Sequence, residues 1–429
     1  MNILLMMPHP NPKRGVFDRF NYPSLTLKQL AAITPQEHNL ELMDERYEPI
    51  NFDKKYDVVG ISCLTYNSIR GYEVAAEFRK RGITVVMGGY HATLLPDEAK
   101  QHVDAVVIGE GERTWPLVLK DIEKGQLKPF YRPDRTVQPE EIPSALHDVG
   151  TYNPFNEPIQ ASRGCPTGCE FCAMNVMEGK IFRGRPVDHL IDEIKSIKSK
   201  SLFFADASLT INPNYSKELF KAMGKETNKY SEAFANVNVL TRDDEFLSLA
   251  ADAGFFNWYV GIESISQENI NLSGKGTNKV ENYAKAIQKV KDHGMMVTGF
   301  FMFGFDFDTI DTFEKTLEKI YQWGLDEVSF SIITPYPGTR LFERYDKEGR
   351  IVCKDWSRYH EGRVNYKPTS LTEEQIINGI RKMALDYYSI PNIIKRSFTN
   401  TNYSPYRVFV KFIRNASVRK FYLTEKLTI

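Results

Sequence analysis

The chain has 429 residues, and its 55 basic side chains are matched by 55 acidic ones. That balance does not indicate a general nucleic-acid-binding surface, which needs a basic excess. With 42% hydrophobic and 12% aromatic residues, an intrinsically disordered chain is excluded. The length suggests two domains, or one large domain with extensions. No segment approaches the roughly 18 consecutive apolar residues that span a bilayer. The N-terminal MNILLMMPHP has too short an apolar run for a secretion signal, and no basic stretch precedes it. The expectation is a cytoplasmic protein. Five cysteines are too few for a disulfide scaffold. Three of them, Cys165, Cys169 and Cys172, crowd into one short stretch, which points to chemistry.

In chain order, residues 1–130 alternate short apolar strands with helical stretches. Strands are predicted over Asn2–Met7, Asn39–Met43, Asp57–Ser62, Thr84–Met87 and Asp104–Ile108. Helices are predicted over Ile69–Arg81 and Thr114–Ile122. This alternation implies a parallel, flavodoxin-like (Rossmann-type) sheet with crossover helices, and ligands bind at the carboxyl ends of such strands. The glycines collect at those ends. Residues 131–157 lack periodicity and read as a linker packed between domains.

A second strand–helix series occupies residues 158–345. Its strands are predicted at Pro158–Arg163, Ser201–Ala205, Ala233–Val239, Trp258–Ile262, Met296–Met302 and Glu327–Ile333. Val187, Leu190, Ile191, Ile194 and Ile197 share one helix face, as do Val280, Tyr283, Ala284, Ile287 and Val290. Six units suit a partial (β/α)6 barrel, with chemistry at the C-terminal ends of its strands. Residues 346–429 form a C-terminal extension.

Cys165, Cys169 and Cys172 lie in GCPTGCEFCAM, spaced C-x3-C-x2-C after a predicted strand. Three thiolates on one loop can each hold one iron of a four-iron cluster. The fourth iron then keeps an open coordination site, as a catalytic metal must. Structural zinc would need a fourth ligand in a paired set, and the nearest histidine, His189, lies well downstream on a predicted helix.

This loop resembles the cluster loop of radical S-adenosylmethionine (SAM) enzymes, including the aromatic Phe171 before the last cysteine. The later strands follow that family's order: LFFADASL, Gly261-Ile262-Glu263-Ser264, TGFFMFGFD, then Pro335-Tyr336-Pro337-Gly338-Thr339. The resemblance implies a [4Fe-4S] cluster whose unique iron chelates SAM. Electron transfer then cleaves the sulfonium and releases a 5′-deoxyadenosyl radical. It also implies that Phe171 lies against the adenine, Asp206 meets the ammonium group, and Glu263 and Ser264 meet the ribose or methionine portion. Relatives often carry more acid after the second strand, whereas Ala207 and Ser208 follow Asp206 here. Asp206 as a helix N-cap and Glu263 as a cap of a barrel helix stand as alternative uses.

The first domain resembles the cobalamin-binding domain fused ahead of such enzymes. The matching stretches are YPSLTLKQLAAITP, MDE, VVGISCLT, VMGGYHATLLPDEA and DAVVIGEGE. The resemblance implies that cobalamin's nucleotide tail enters the small-residue loops. Ser62 and Thr65 would donate hydrogen bonds, and Gly88 and Gly89 would admit the ligand to the backbone. The D-x-H-x-x-G pattern that ligates cobalt is absent, since His9, His38 and His91 do not fall in it. The GEGE run, Gly109 to Glu112, serves either the cofactor or a domain interface.

Together these features imply a cobalamin-dependent radical SAM enzyme, a C-methyltransferase acting on an unactivated carbon of a hydrophobic or natural-product substrate. The rivals are a ring-forming or oxidative radical reaction without net methylation, and an enzyme whose cobalamin domain is vestigial. The expected partners are a small-molecule or lipid substrate and a reductant protein such as flavodoxin or ferredoxin, with no nucleic acid. The tail from Pro391 carries eight Lys/Arg against the single acid Glu425, with Phe398, Tyr403, Tyr406, Phe409, Phe412, Phe421 and Tyr422 interleaved. Such a mix suits either peripheral contact with an anionic membrane surface or packing on the barrel.

Overall fold

A computed structural model describes residues 1–10, 22–150, 156–360, 362–398, 403 and 405–424. Six strands build the first sheet: β1 (Asn2–Met7), β2 (Asn39–Asp44), β3 (Val58–Ser62), β4 (Thr84–Gly88), β5 (Ala105–Val107) and β6 (Phe130–Tyr131). Their order is β2-β1-β3-β4-β5-β6, all parallel. Alternate side chains serve opposite faces, as a two-residue repeat requires. Leu4, Met6, Val59 and Ile61 pack with Tyr72 and Phe78 of helix Ser68–Lys80. Ile3, Leu5, Val58 and Val86 pack with Leu27 and Trp115 on the other face. The sixth strand falls at the start of the region read as aperiodic. Two residues are too short to show a period.

The chain between the two sheets is in part buried. Val137, Ile142 and Ala145 are buried, and the Ala145 N–H donates to Glu193 at 3.1 Å.

The predicted strand Pro158–Arg163 is broken in two. β7 (Glu157–Ile159) joins the barrel, while β8 (Ser162–Arg163) pairs antiparallel with β9 (Arg183–Gly184). Four longer strands follow: β10 (Ser201–Phe204), β11 (Tyr230–Ala235), β12 (Phe255–Glu263) and β13 (Met296–Phe303). β14 (Glu327–Ile332) completes a parallel six-stranded partial barrel in the order β14-β13-β12-β11-β10-β7. The strand predicted over Ala233–Val239 lies earlier, and Val237–Arg242 is helical. Apolar runs of this length fit either element, so periodicity could not arbitrate. On the helix Tyr283–Asp292, Ala286 rather than Ala284 faces the core.

The inner face of the barrel is layered. Glu232, Asn257, Thr298 and Glu327 form a polar base. Above them Phe203, Phe234, Tyr259 and Phe300 form a connected aromatic layer, with centroids 5.3–5.9 Å apart. Tyr22, from the first domain, stacks on Phe203 at 4.2 Å.

The extension closes the free side of β14. The Tyr388 hydroxyl accepts the Val328 N–H at 3.1 Å and donates to the Val328 carbonyl at 2.6 Å. The Tyr422 hydroxyl accepts the Phe330 N–H at 2.8 Å. A bare strand edge would template wrong pairing, and these phenols cap it. Several tail residues are thereby committed to the barrel. Lys411 and Tyr403 meet Asp326, and Arg414 reaches Glu327 and Glu232, each at 2.7 Å. Arg396 and Arg419 donate to the Tyr387 and Tyr388 carbonyls of the extension itself, and Lys426 lies outside the described residues. No helix among the described residues is long and apolar enough to cross a membrane.

Candidate active site

The cysteine loop begins where β8 ends. Gly164 has φ +83°, and a Cβ there would sit 2.0 Å from the Ile181 carbonyl, so glycine is required. The Cys165 N–H donates to the Gly179 carbonyl at 3.1 Å, and the Cys172 N–H to the Cys169 carbonyl at 3.2 Å. The Glu170 N–H donates to the Ser273 carbonyl at 2.8 Å, and the Glu170 carboxylate pairs with Arg344 at 2.7 Å. The loop is thus held from both sides.

Burial pushes the Cys169 thiol up to about 12, against the pull of nearby Lys275, and burial raises Cys172 as well. Cys169 feels Cys172 and Cys165, Cys172 feels Cys165, and both feel Glu263 and Lys275. Among the described residues no three His, Cys, Asp or Glu side chains converge on one mononuclear metal point. A cubane cluster asks for something different, one thiolate per iron at separate corners. Bound metal would also override the thiols' raised proton affinity. The donor set therefore fits a cluster. Cys63 is buried against Gly71, and Cys353 lies in the extension; neither belongs to the loop.

Phe171 packs its partly exposed ring against the barrel core. Asp206 is 2% exposed. Its carboxylate accepts the Ala161 N–H at 3.0 Å and the Ser162 N–H and hydroxyl. That ties β10 to the strand that enters the cysteine loop, a use different from the expected meeting with an ammonium group. Burial raises its pKa to about 6, against the pull of those donors.

Glu263 ends β12 with φ +63°, a left-handed conformation costly for a non-glycine residue. Its carboxylate pairs with Lys275, which also donates to the Gly261 carbonyl at 2.8 Å. Ser264 is buried, and its hydroxyl oxygen accepts the Ser266 N–H at 3.1 Å and the Asn269 amide at 3.3 Å. The Gly304-Phe305-Asp306 turn is tied by Asp308, which accepts two of its N–H groups, and Asp306 pairs with Arg344 and Arg350.

In the first domain a shallow cleft opens between the sheet and its flanking helices. Ser62, Gly88, Gly89, Gly109 and Gly111 line its rim, and Leu5, Leu27, Leu30 and Trp115 line its walls. At Gly60 a Cβ would lie 2.6 Å from Leu5, and at Gly89 one would lie 2.7 Å from the Cys63 carbonyl. An apolar wall with a small-residue rim fits the ring and sugar of a nucleotide tail. Thr65 is not part of this site: it is buried in the 3-10 turn Thr65–Asn67, outside the cleft lining. His91 is wholly buried with Nε2 2.7 Å from the Tyr72 hydroxyl, also away from the lining.

The two sites adjoin. Met177, beside the cysteine loop, lines the cleft, and Tyr90 lies close enough to feel Cys172, Glu178 and Arg163. The GEGE run is an interface: Glu110 accepts from Arg163 at 2.8 Å and from Arg183 at 2.9 Å. Lys275, Tyr90, Glu178 and Arg163 were not singled out in the sequence. Only Arg163 carried a signal there, as a charge inside an otherwise buried strand.

Comparison with known proteins agrees with this geometry. The radical SAM superfamily model matches residues 159–320, and the B12-binding domain model matches residues 22–119. The bacteriochlorophyllide d C-8(2)-methyltransferase of Chlorobaculum tepidum is 31% identical over 399 residues, covering 88% of each chain. The chain belongs to the cobalamin-binding radical SAM methyltransferases. The C-12(1)-methyltransferase of the same organism is 31% identical over 412 residues, covering 92% of this chain and 89% of that one. The fold also matches the radical SAM methyltransferase TsrM from Kitasatospora setae, solved with cobalamin and a [4Fe-4S] cluster. The TM-score is 0.74 at 14% identity, over 98% of both chains. This radical SAM methyltransferase accordingly uses a [4Fe-4S] cluster, SAM and cobalamin. Cys165, Cys169 and Cys172 are the residues suited to hold the cluster, and the Gly88–Gly111 cleft is suited to the cobalamin tail.

Proposed function

We propose that this enzyme methylates an unactivated carbon carried by a large, flat, mainly apolar substrate. The single observation that carries this reading is the aromatic layer of Phe203, Phe234, Tyr259 and Phe300 inside the barrel. Offset and edge-on aromatic contacts favour a conjugated ring over a flexible polar chain. The two relatives at 31% identity are named for methylating bacteriochlorophyllide d, a flat macrocycle. When bound, the cluster and SAM supply the hydrogen-abstracting radical, and cobalamin supplies the methyl group. The protein's part is to orient and to exclude water. Lys275 and Glu263 hold a fixed charge pair beside the thiols, Asp206 acts as a positioning residue for the strand entering the cysteine loop, and the aromatic layer supports the ring.

A small redox protein such as flavodoxin or ferredoxin is the proposed electron donor, and the cytoplasm the proposed compartment. Anaerobic protein reconstituted with iron, sulfide and cobalamin should convert bacteriochlorophyllide d to a product heavier by one CH2. S-adenosylhomocysteine should form alongside 5′-deoxyadenosine. Formation of 5′-deoxyadenosine with a cyclised or oxidised product and no S-adenosylhomocysteine would select the ring-forming rival. Cys165→Ala, Cys169→Ala and Cys172→Ala should each lose the cluster's visible absorption and all SAM cleavage, while Cys353→Ala keeps both.

Membrane contact has one supporting observation. Ile390, Ile394 and Phe398 form an exposed stripe at helical spacing, and Phe409 and Ile413 form another. Because Lys411 and Arg414 are paired internally, the proposed contact is apolar first and electrostatic second. Replacing Ile394, Phe398 and Phe409 together by serine should abolish sedimentation with anionic vesicles. Equal sedimentation would end the idea.

A further inference from the structure

One four-residue loop serves both cofactor sites. Gly109 and Gly111 line the cleft suited to the cobalamin tail, and the glutamates beside them point the other way. Glu110, 7% exposed, bridges Arg163 at 2.8 Å and Arg183 at 2.9 Å. Glu112 adds a second contact to Arg163, at 2.6 Å. Arg163 directly precedes Gly164 and Cys165.

Arg183 also donates to the Glu178 carbonyl at 2.7 Å, and the Glu178 carboxylate accepts the Gly164 N–H at 3.0 Å. The same juxtaposition recurs from the cluster side. Met177 lines the cleft, while Glu178, next to it, holds the start of the cysteine loop. Thr93 links the two rims: its hydroxyl accepts the Gly109 N–H at 2.9 Å and lies 3.6 Å from the Met177 sulfur. The two arms of Glu110, to Arg163 and Arg183, are short, buried and charge-assisted, so an independent shift of either rim is costly.

We propose that Glu110 is a positioning residue that couples the cobalamin cleft to the cysteine loop, so that filling either site favours filling the other. A ligand seated against Gly109 and Gly111 fixes the loop that carries Glu110. Glu110 then fixes Arg163 and Arg183, and through them the backbone that starts the cluster loop. A cluster bound by the cysteines fixes the same chain from the opposite end. Such coupling is reciprocal: the factor by which one occupant tightens the other must be equal in both directions.

The test measures binding and needs no substrate, so its outcome is separate from that of the methylation reading. Hydroxocobalamin affinity is measured by equilibrium dialysis on the full chain, with and without its reconstituted, oxidised cluster. Iron release to a chelator is followed with and without hydroxocobalamin. In the wild type, the cluster should tighten hydroxocobalamin about tenfold, within the roughly 5- to 150-fold span of coupled sites, and hydroxocobalamin should slow iron loss. In Glu110→Gln both cofactors should still bind, with the coupling factor reduced to near one. Arg183→Lys keeps the charge but loses the forked contact, and it should give the same loss if Glu110→Gln does not fold. A wild type whose hydroxocobalamin affinity ignores the cluster would overturn the proposal. So would a folded variant that retains the full factor.

Discussion

Lys275 and Glu263 form a buried ion pair beside the cysteine loop, with Glu263 held in a left-handed backbone conformation to make it. Burial alone would pull the Lys275 ammonium down. The Glu263 carboxylate and Cys169 more than offset this, so its pKa lies above the usual lysine range. The pair with Lys275 holds Glu263 in this strained conformation. Breaking a buried pair from one side leaves a bare charge, a loss of about 3–5 kcal/mol. Lys275→Met should therefore cost that much in urea unfolding. Adding Glu263→Gln should recover part of the loss, with a coupling of about 0.5–3 kcal/mol. Additive losses in the double variant would show that the pair does not act as a unit.

Gly88 and Gly89 separate two effects that the sequence alone joined. A side chain at Gly89 meets the Cys63 backbone at a φ of +89°, so any substitution there strains the fold. Gly88 has ordinary φ and meets only Val107 at 3.6 Å, so it tolerates a Cβ. Gly88→Phe should fill the cleft and abolish cobalamin retention through desalting, while cluster absorption persists. Gly89→Phe should lower the melting temperature as well. Cobalamin retained at wild-type level in Gly88→Phe would place the tail elsewhere.

Arg414 joins the C-terminal helix to the barrel base through Glu232 and Glu327. Arg414→Gln strands two buried carboxylates and should cost about 3–5 kcal/mol. Tyr388→Phe and Tyr422→Phe each remove a phenol from the β14 edge and should cost about 1–3 kcal/mol apiece, because a buried N–H loses its partner. Chemical denaturation measures all three. A neutral result at Arg414 would mean that the helix covers the barrel without bracing it.

His147 lies between Glu157 at 2.9 Å and Glu193 at 2.8 Å, where linker and barrel meet. Burial opposes its charge, but the two carboxylates outweigh burial and raise its pKa above the 6.5 of a free imidazole. A raised folded pKa means that the imidazolium's contribution is complete below about pH 6.5 and is lost as pH climbs through the folded value. The melting temperature should fall as pH rises past neutrality, and His147→Gln should flatten that slope. Identical slopes in the two proteins would remove His147 from the explanation.

The sequence by itself determined the cluster loop, the order of the two domains and most strands. Each is carried by local signals: close cysteine spacing, glycines at turns, and short apolar runs between helices. The resemblance also singled out Ser62, Gly88 and Gly89, which line the cleft of the first domain. Tertiary structure decided what local pattern cannot encode. Asp206 accepts three hydrogen bonds from strand-end donors 44 and 45 residues away in the chain. Thr65 turned into the interior instead of the cleft, since a 3-10 turn at its position sets the side-chain direction. The GEGE glutamates and the tail cations look alike in sequence, as charges beside aromatics or glycines. Only the fold brings Glu110 to Arg163, 53 residues on, and Arg414 to Glu232, 182 residues back. A buried charge is stable only with a partner at contact distance, and such partners are chosen by the packing of domains, not by neighbours in the chain.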